Sequence, residues 1–421
     1  MKVVSAEFTF LQLAAWRDIL FDSVLVQVLS VRTLDLDERE NRVELGIEAQ
    51  SFEKVREELT QRISRLGIPV NAVRFESLRG AGPQLDMAPP PTLQTGTTDP
   101  LAGGIQIVHW NNAGCTLGFV GQRSGVTGFV TNSHCSSMMY VPDNTSYYVG
   151  GVFAGVEVQD PYGYTCGLRT CRGSDANFVA NGSMPLAIGR ILRTIGVNTG
   201  SITVDQSKPY FDVVQAGSSL YQGATVHKVG RTTGWTSGSI VSTCKDATPE
   251  LYMVMTCGYE ANYTRGNGDS GGPVFVRLAS GDSTEVTLVG IHSSESWESS
   301  AIFAKLERIQ SDLGGTWNVI AHPPTPPSGP LSAYVGGPVD ANTSSFCTLR
   351  YWANSTGGSG AYSYAWSTDG SPVQSSGGTY WVKFPTGGTY WVEVTVSDGT
   401  GAQITDRLYV VASSSGTDCN N

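Results

Sequence analysis

Gly266-Asn267-Gly268-Asp269-Ser270-Gly271-Gly272-Pro273 places a serine in a turn that carries four glycines. A hydroxyl becomes an effective nucleophile when a base stands beside it and N–H donors face the oxyanion that forms. Glycines, lacking Cβ atoms, let backbone amides converge around such a serine. The amides of Gly268 and Ser270 are the candidate donor pair. Working outward, Thr131-Asn132-Ser133-His134-Cys135 supplies an imidazole 136 residues before Ser270. A Cys115–Cys135 bridge would tether its backbone. The third requirement is a carboxylate that holds the imidazole tautomer and stabilises the imidazolium. Asp175, in Gly173-Ser174-Asp175-Ala176-Asn177-Phe178-Val179, enters an apolar strand and is the first choice. Glu157 and Asp160 are its rivals, while Asp143, in Pro142-Asp143-Asn144, reads as a turn residue.

The whole chain sets the background. It has 421 residues, enough for two or three domains with cores of their own. With 50 Gly, 20 Pro and 15% charged residues, the composition points to strands and turns. A net charge of −10 without a basic stripe argues against nucleic acid. No apolar run approaches the roughly 18 residues of a membrane span. The 8 cysteines all follow residue 114 and fall into neighbour pairs: Cys115/Cys135, Cys166/Cys171, Cys244/Cys257 and Cys347/Cys419. An even count without metal-type spacing reads as disulfides made in an oxidising compartment, and hence as secretion. The start of the chain conflicts with this, because Phe8–Trp16 lacks a cleavage site and reads as an amphipathic helix rather than a signal peptide. No cluster of His, Asp or Glu calls for a metal, and no cofactor motif is present.

Five segments follow from texture. Residues 1–80 hold 24 of the 64 charged residues and no cysteine. Here Glu7–Leu20 reads as helix, and Val24–Leu34 and Val43–Ala49 as strands. Phe52, Val55, Leu59, Ile63 and Leu66 recur at helical spacing, with Ser51 as cap and Gly67 as stop, before a strand over Val70–Glu76. The result is a small α+β module with a βαβ unit. Residues 81–103, with Pro89-Pro90-Pro91, read as a cleavable linker. Residues 104–321 carry short strands at turn-punctuated intervals, as in an all-β barrel or sandwich, and Ile302, Leu306, Ile309 and Leu313 suggest a closing helix over 301–313. Residues 322–330 form a Pro-rich spacer. Over 331–421, Tyr390, Val392, Val394 and Val396 alternate with polar positions as a half-buried strand.

The order His134, Asp175, Ser270, with Cys115-Thr-Leu-Gly-Phe119, Asn132-Ser-His-Cys135 and Gly230-Arg-Thr-Thr-Gly-Trp-Thr-Ser-Gly238, resembles the chymotrypsin-like serine peptidases of the bacterial streptogrisin and α-lytic protease branch. The resemblance covers about residues 100 to 320. It implies a double β-barrel, His134 and Asp175 from the first barrel and Ser270 from the second, and peptide-bond hydrolysis through an acyl-enzyme. It also implies that residues 1–80 are a pro-region that assists folding and then inhibits, with mature protein beginning between Thr97 and Gly104. No basic residue precedes an Ile-Val-Gly-Gly, so an N-terminal amine is not expected on Asp269. The last segment resembles a PKD-type immunoglobulin-like sandwich, an accessory module whose partner would be a surface or polymer.

By the same resemblance His292, Ser293, Ser294 and Glu295 wall the primary pocket, Ser293 contacts Asp175, and Arg265 lies near the pocket base. His292 and Arg265 raise the expectation of an acidic residue before the scissile bond; Glu295, able to neutralise Arg265, opposes it. Substrates would be proteins or peptides. The competing reading from another class is a non-catalytic adhesin or binding protein on a peptidase scaffold.

Overall fold

In the N-terminal segment, helical spacing and β-branched runs alternate, and the chain follows them. The computed structural model describes residues 6–79, 100–109, 114–182, 184–217, 219–278, 283–295, 300–320, 330–343, 347–358 and 362–414. Helix α1 (Phe10–Leu20) is followed by strands β1 (Val31–Asp37) and β2 (Arg42–Glu48), helix α2 (Phe52–Arg65) and strand β3 (Val73–Leu78). Thr9 and Gln12 close a capping box on α1. Helix α2 buries Val55, Leu59 and Ile63, and β2 and β3 run parallel on either side of that crossover.

Three local expectations change. Val24 and Leu25 do not begin a strand; Phe21–Leu25 forms a widened helical turn that buries both side chains, and β1 starts at Val31. Ser51 does not cap α2 with its side chain, because a 3-10 turn over Ala49–Ser51 already carries the chain into the helix. The strand after α2 begins at Val73, since Val70–Ala72 is another 3-10 turn.

The chain then builds two sheets within the compact unit Met1–His322. Its strands are β4 (Leu101–Gly103), β5 (Gln106–His109), β6 (Gly114–Thr116), β7 (Phe119–Arg123), β8 (Val126–Thr131), β9 (Ser146–Val149) and β10 (Val152–Gln159). Next come β11 (Tyr164–Cys166), β12 (Arg169–Arg172), β13 (Asn177–Asn181), β14 (Leu186–Leu192), β15 (Tyr210–Ala216) and β16 (Thr225–Gly230). The series continues with β17 (Gly234–Glu250), β18 (Met253–Ala261), β19 (Pro273–Arg277), β20 (Glu285–Glu295), β21 (Ala301–Lys305), α3 (Leu306–Leu313) and β22 (Trp317–Asn318). One sheet has 8 strands in the order β22-β7-β8-β13-β10-β9-β5-β6. The other has 14 and runs from β11 and β12 through β18, β21, β20, β19, β16 and β17 into β1, β2 and β3.

The helix expected over 301–313 is half strand. Ala301, Ile302, Phe303 and Ala304 are all buried and lie between β18 and β20, so both edges of this run are hydrogen-bonded. Only Leu306, Ile309 and Leu313 retain helical spacing, as the buried face of α3. At the other end, Leu101–Gly103, the last part of the expected linker, is a buried strand parallel to β14. Most of that linker, and the spacer 322–330 save for Pro330, lie outside the described residues.

Among its described residues, the unit Pro323–Asn421 holds two four-stranded sheets. Val335, Leu349, Tyr351 and Val382 from one sheet meet Val392, Val394, Val396 and Val410 from the other in a shared core. The alternation read from the sequence is thus a sheet with one buried face. Cys347 is disulfide-bonded, and Cys419 lies outside the described residues. The other three expected pairs, Cys115–Cys135, Cys166–Cys171 and Cys244–Cys257, are formed.

The N-terminal segment is part of the larger sheet. β1 pairs antiparallel with β17 through Thr33–Ala247 and Leu34–Asp246. Buried charge accumulates beside this seam, around a cavity of about 420 Å³. Ser242 Oγ donates to Asp35 Oδ1 at 2.6 Å, and Lys245 Nζ lies 2.9 Å from Glu260 and 3.9 Å from Glu44. Burial pushes the Asp35 carboxyl up to about 7, against the pull of Lys245 and Ser242. The folded chain therefore holds a proton that the unfolded chain releases near pH 4, and stability from this group falls between about pH 4 and 7. In Asp35→Asn that slope should vanish. Urea denaturation across this window should show the variant gaining on the parent by on the order of 3 kcal/mol.

Candidate active site

Antiparallel pairing explains how two distant residues meet. β8 and β13 are neighbours, with Thr131 opposite Asn177. His134 follows the end of β8 in a 3-10 turn over Ser133–Cys135, and Asp175 precedes the start of β13. Both therefore project from the same end of one strand pair. His134 Nδ1 lies 2.5 Å from Asp175 Oδ2, and the His134 amide donates to Asp175 Oδ1 at 3.2 Å. The Cys115–Cys135 disulfide ties the histidine turn to β6. Among the described residues, Cys115, His134 and Cys135 are the one grouping with metal-ligand spacing, within 4.8 Å, but the two sulfurs are bonded to each other and offer no thiolate.

Asp175 is fully buried. Burial alone would raise its carboxyl, yet the His134 imidazole and the hydrogen bonds from His134 and Ser293 outweigh it and hold the group below the usual carboxylate range. The rivals are engaged elsewhere. Glu157 accepts from the Asp143 amide at 2.9 Å and from Asn177 Nδ2 at 2.9 Å. Asp160 pairs with Arg172 Nη1 at 2.6 Å and accepts from Ser133 Oγ at 2.7 Å. Asp143 takes the amides of Met138 and Thr145, the pattern of a turn residue.

The second sheet delivers Ser270. The residue lies just before β19, whose partner β20 sets Pro273 opposite Ile291. Continuing that register, Gly271 N donates to His292 O and His292 N to Gly272 O, each at 2.8 Å. Ser270 Oγ donates to Ser293 O at 3.3 Å, while Ser293 Oγ donates to Asp175 Oδ2 at 2.8 Å. Ser293 thus touches the serine with its backbone and the carboxylate with its side chain. Further bonds stitch the sheets together: Thr116 N to Ser270 O at 2.8 Å, and Thr116 Oγ1 to Gly268 O at 2.7 Å.

Two glycines make the serine turn possible. Gly268 has φ +95°, and a Cβ there would sit 2.0 Å from the Arg231 guanidinium. Its amide and that of Ser270 belong to a turn whose backbone is set by this left-handed residue. At Gly230 a Cβ would fall 2.1 Å from Asp269 Oδ1.

That approach matters because Asp269 is the buried anchor of the turn, a role not visible in the sequence. Its carboxylate takes Lys228 Nζ at 2.6 Å, Thr233 Oγ1 at 2.6 Å, and the amides of Thr232 and Gly266, both at 3.0 Å. Burial opposes the charge, but Lys228 and Thr233 keep the carboxyl below its usual range. The cation beside Asp269 is Lys228, on β16.

The remaining predicted residues gather at the end of β20. His292 is buried, with Nδ1 3.1 Å from Tyr263 Oη. Burial, with Lys228 and Arg265 nearby, pushes its pKa down to about 3, so the ring is neutral. Nε2 has no hydrogen-bond partner among the described residues. Ser294 is buried opposite Ile302. Arg265 is paired with Glu295 and donates from Nε to Ser300 O at 3.1 Å.

No family model matches the chain. The decoration protein of Escherichia phage T5 is 39% identical over 61 residues, 14% of this chain and 37% of that protein, so the chain spans little more than a third of that relative. Solved structures similar to this one include serine proteases. A glutamic-acid-specific serine protease, described as using a histidine triad in substrate binding, shares 22% identity over 50% of this chain and 96% of its own, at a TM-score of 0.38. Protease A of Thermobifida fusca shares 20% identity over 52% and 100%, at 0.38, and a Nocardiopsis protease 21% over 51% and 97%, at 0.37.

The Lys228–Asp269 pair yields a direct stability test. Lys228→Met leaves a carboxylate buried without its cation and should cost about 3–5 kcal/mol in chemical denaturation. Adding Asp269→Asn should recover part of that loss, since the uncompensated charge is then gone.

Proposed function

We propose that the chain is a serine endopeptidase with His134 as general base and then acid, Ser270 as nucleophile and Asp175 as the partner of the imidazole. The observation that carries this reading is the chain of contacts Ser270–Ser293–Asp175–His134 at the meeting of the two sheets. Asp175 accepts at Nδ1, so Nε2 is the nitrogen left to take the serine proton. The amides of Gly268 and Ser270 would stabilise the oxyanion, and a covalent acyl-enzyme would then be hydrolysed by water that His134 activates. The fold in this reading is a chymotrypsin-like double β-barrel. Three formed disulfides fit an oxidising, extracellular setting, and no helix among the described residues is long and apolar enough to cross a membrane.

The flanking segments take their roles from their positions. Residues 6–79 extend the sheet that carries Ser270, which supports a pro-region that helps that sheet form and restrains the product. Processing would fall before Leu101, because Leu101–Gly103 is buried in the body. The C-terminal unit fits an accessory immunoglobulin-like sandwich directed at a surface or polymer.

An acidic residue before the scissile bond is the specificity that His292, at the end of β20, would serve if Tyr263 donates to Nδ1 and leaves a proton on Nε2. Arg265 adds no uncompensated charge, because Glu295 neutralises it.

Ser270→Ala should remove nearly all hydrolysis of a peptide substrate and all labelling by a serine-directed phosphonate. Asp175→Asn should lower turnover by roughly 10⁴ through the wrong tautomer. A processed chain that takes no label with His134 and Ser270 intact would point instead to a binding protein on this scaffold. Cleavage profiling on a peptide library should favour Glu or Asp at the position before the cut; equal turnover after Leu, Ala and Glu would end the acidic reading.

A further inference from the structure

We infer that Arg172 is a positioning residue for His134 and Asp175, holding the chain on both sides of the carboxylate and, through Asp160, the residue before the imidazole. The inference rests on the endopeptidase reading of those side chains. Arg172 ends β12, directly after the disulfide-bonded Cys171, and is buried. Its guanidinium serves three elements at once. Nη1 donates to Asp160 Oδ1 at 2.6 Å and to Pro161 O at 3.0 Å, in the turn after β10. Nη2 donates to the carbonyl of Ala176, the residue after Asp175. Nε lies 3.4 Å from Asp312 Oδ2 on α3, which also accepts from Ser174 Oγ at 2.7 Å, and Ser174 is the residue before Asp175.

The fourth connection runs to the histidine. Asp160 Oδ2 accepts from Ser133 Oγ at 2.7 Å, and Ser133 Oγ accepts from the Tyr140 amide at 2.6 Å. Ser133 immediately precedes His134. Tyr140 closes the arrangement from below, with its ring 4.9 Å from the guanidinium carbon and its backbone at φ +60°. Residues 133, 174 and 176 therefore all report to one cation, although residue 133 lies on a different loop from the other two.

This is a task for arginine. A planar fork with five donors can satisfy acceptors on three sides, while an ammonium is a single centre on a flexible stem. A buried cation is tolerated only when paired, and here Asp160 and Asp312 provide the pairing. The Asp160 carboxylate, read from the sequence as a rival to Asp175, becomes the link that orients the rival's partner. The requirement for such a device is geometric. A displacement of about 1 Å at a reacting centre can cost 10²-fold in rate.

The test uses the full chain with Arg172→Gln, Arg172→Lys and Asp160→Asn. The readouts are kcat and KM on a peptide, the pH profile of kcat/KM, the far-downfield proton resonance of His134 Nδ1–H, and the thermal midpoint. In Arg172→Gln, kcat should fall roughly 10- to 100-fold with KM little changed. The Nδ1–H resonance should shift or broaden, and the acid limb of kcat/KM, which reports the base of the free enzyme, should move with it. Arg172→Lys, able to restore only the Asp160 contact, should fall between Arg172→Gln and the parent. A variant that loses only thermal stability, keeping kcat, resonance and pH profile, would make Arg172 a structural residue and overturn the inference. Should Arg172→Gln yield no folded chain, Arg172→Lys and Asp160→Asn decide by the same readouts. A processed parent chain that neither hydrolyses nor labels would sink the endopeptidase reading, and the resonance alone would then decide whether Arg172 sets the His134–Asp175 bond.

Discussion

Ser293 is where the two sheets of the larger unit become one site. Its hydroxyl, 2.8 Å from Asp175 Oδ2, reaches the strand pair that carries His134, while its carbonyl, 3.3 Å from Ser270 Oγ, belongs to the sheet that carries the serine. A single residue at the end of β20 can do this because the β19–β20 register presents its backbone to the turn before β19. Thr116 reinforces the same seam from the other side, giving its amide to Ser270 O and its hydroxyl to Gly268 O. Without that seam the serine turn and the imidazole would have no fixed relation.

Around the seam, charge is buried only where it is answered. Asp269 has Lys228, Asp160 has Arg172, and Asp175 has His134 with two further donors. Each pair lies within hydrogen-bond distance; at Asp269 and Asp175 the partners outweigh the loss of hydration, while at Asp160 burial still lifts the carboxyl to about 7 despite Arg172. Two of the three pairs also join segments 41 residues apart in sequence. Such pairs tend to fix geometry rather than to add stability, in keeping with their position around a site whose chemistry depends on alignment.

The N-terminal segment uses a different device. It adds strands to an existing edge, and its helix α1 sends Arg17 to Asp246 at 2.6 Å beside the Cys244–Cys257 bridge. Arg169, in the hairpin closed by Cys166–Cys171, donates to the carbonyls of Leu29 and Val31 at 2.9 and 2.7 Å. Two disulfide-stapled hairpins are therefore its docking surface. The hairpin gripped through Arg169 is the one that ends in Arg172, which places N-terminal contact and the proposed alignment of His134 and Asp175 on the same short strand.

Local chemistry was legible from the chain alone. The glycines around Ser270, the His134–Cys135 box, the apolar repeat of α2 and the alternation along the strand Gly388–Ser397 are short-range patterns, and backbone sterics and side-chain periodicity act at short range. Asp175 could be ranked above Glu157 and Asp160 by context, but its hydrogen bond to His134 comes from the β8–β13 register, a pairing between residues more than 40 apart. The strand nature of Ala301–Ala304 was hidden because a run bonded on both edges and buried on both faces loses its alternation. Lys228 on Asp269 and Arg172 on Asp160 were likewise invisible, since long side chains choose partners by proximity in space, whereas the pairing of Glu295 with Arg265 was anticipated. The sequence by itself determined which groups are able to react; the tertiary structure decided which of them touch, because hydrogen bonds and ion pairs act over a few ångströms and only packing brings distant segments that close.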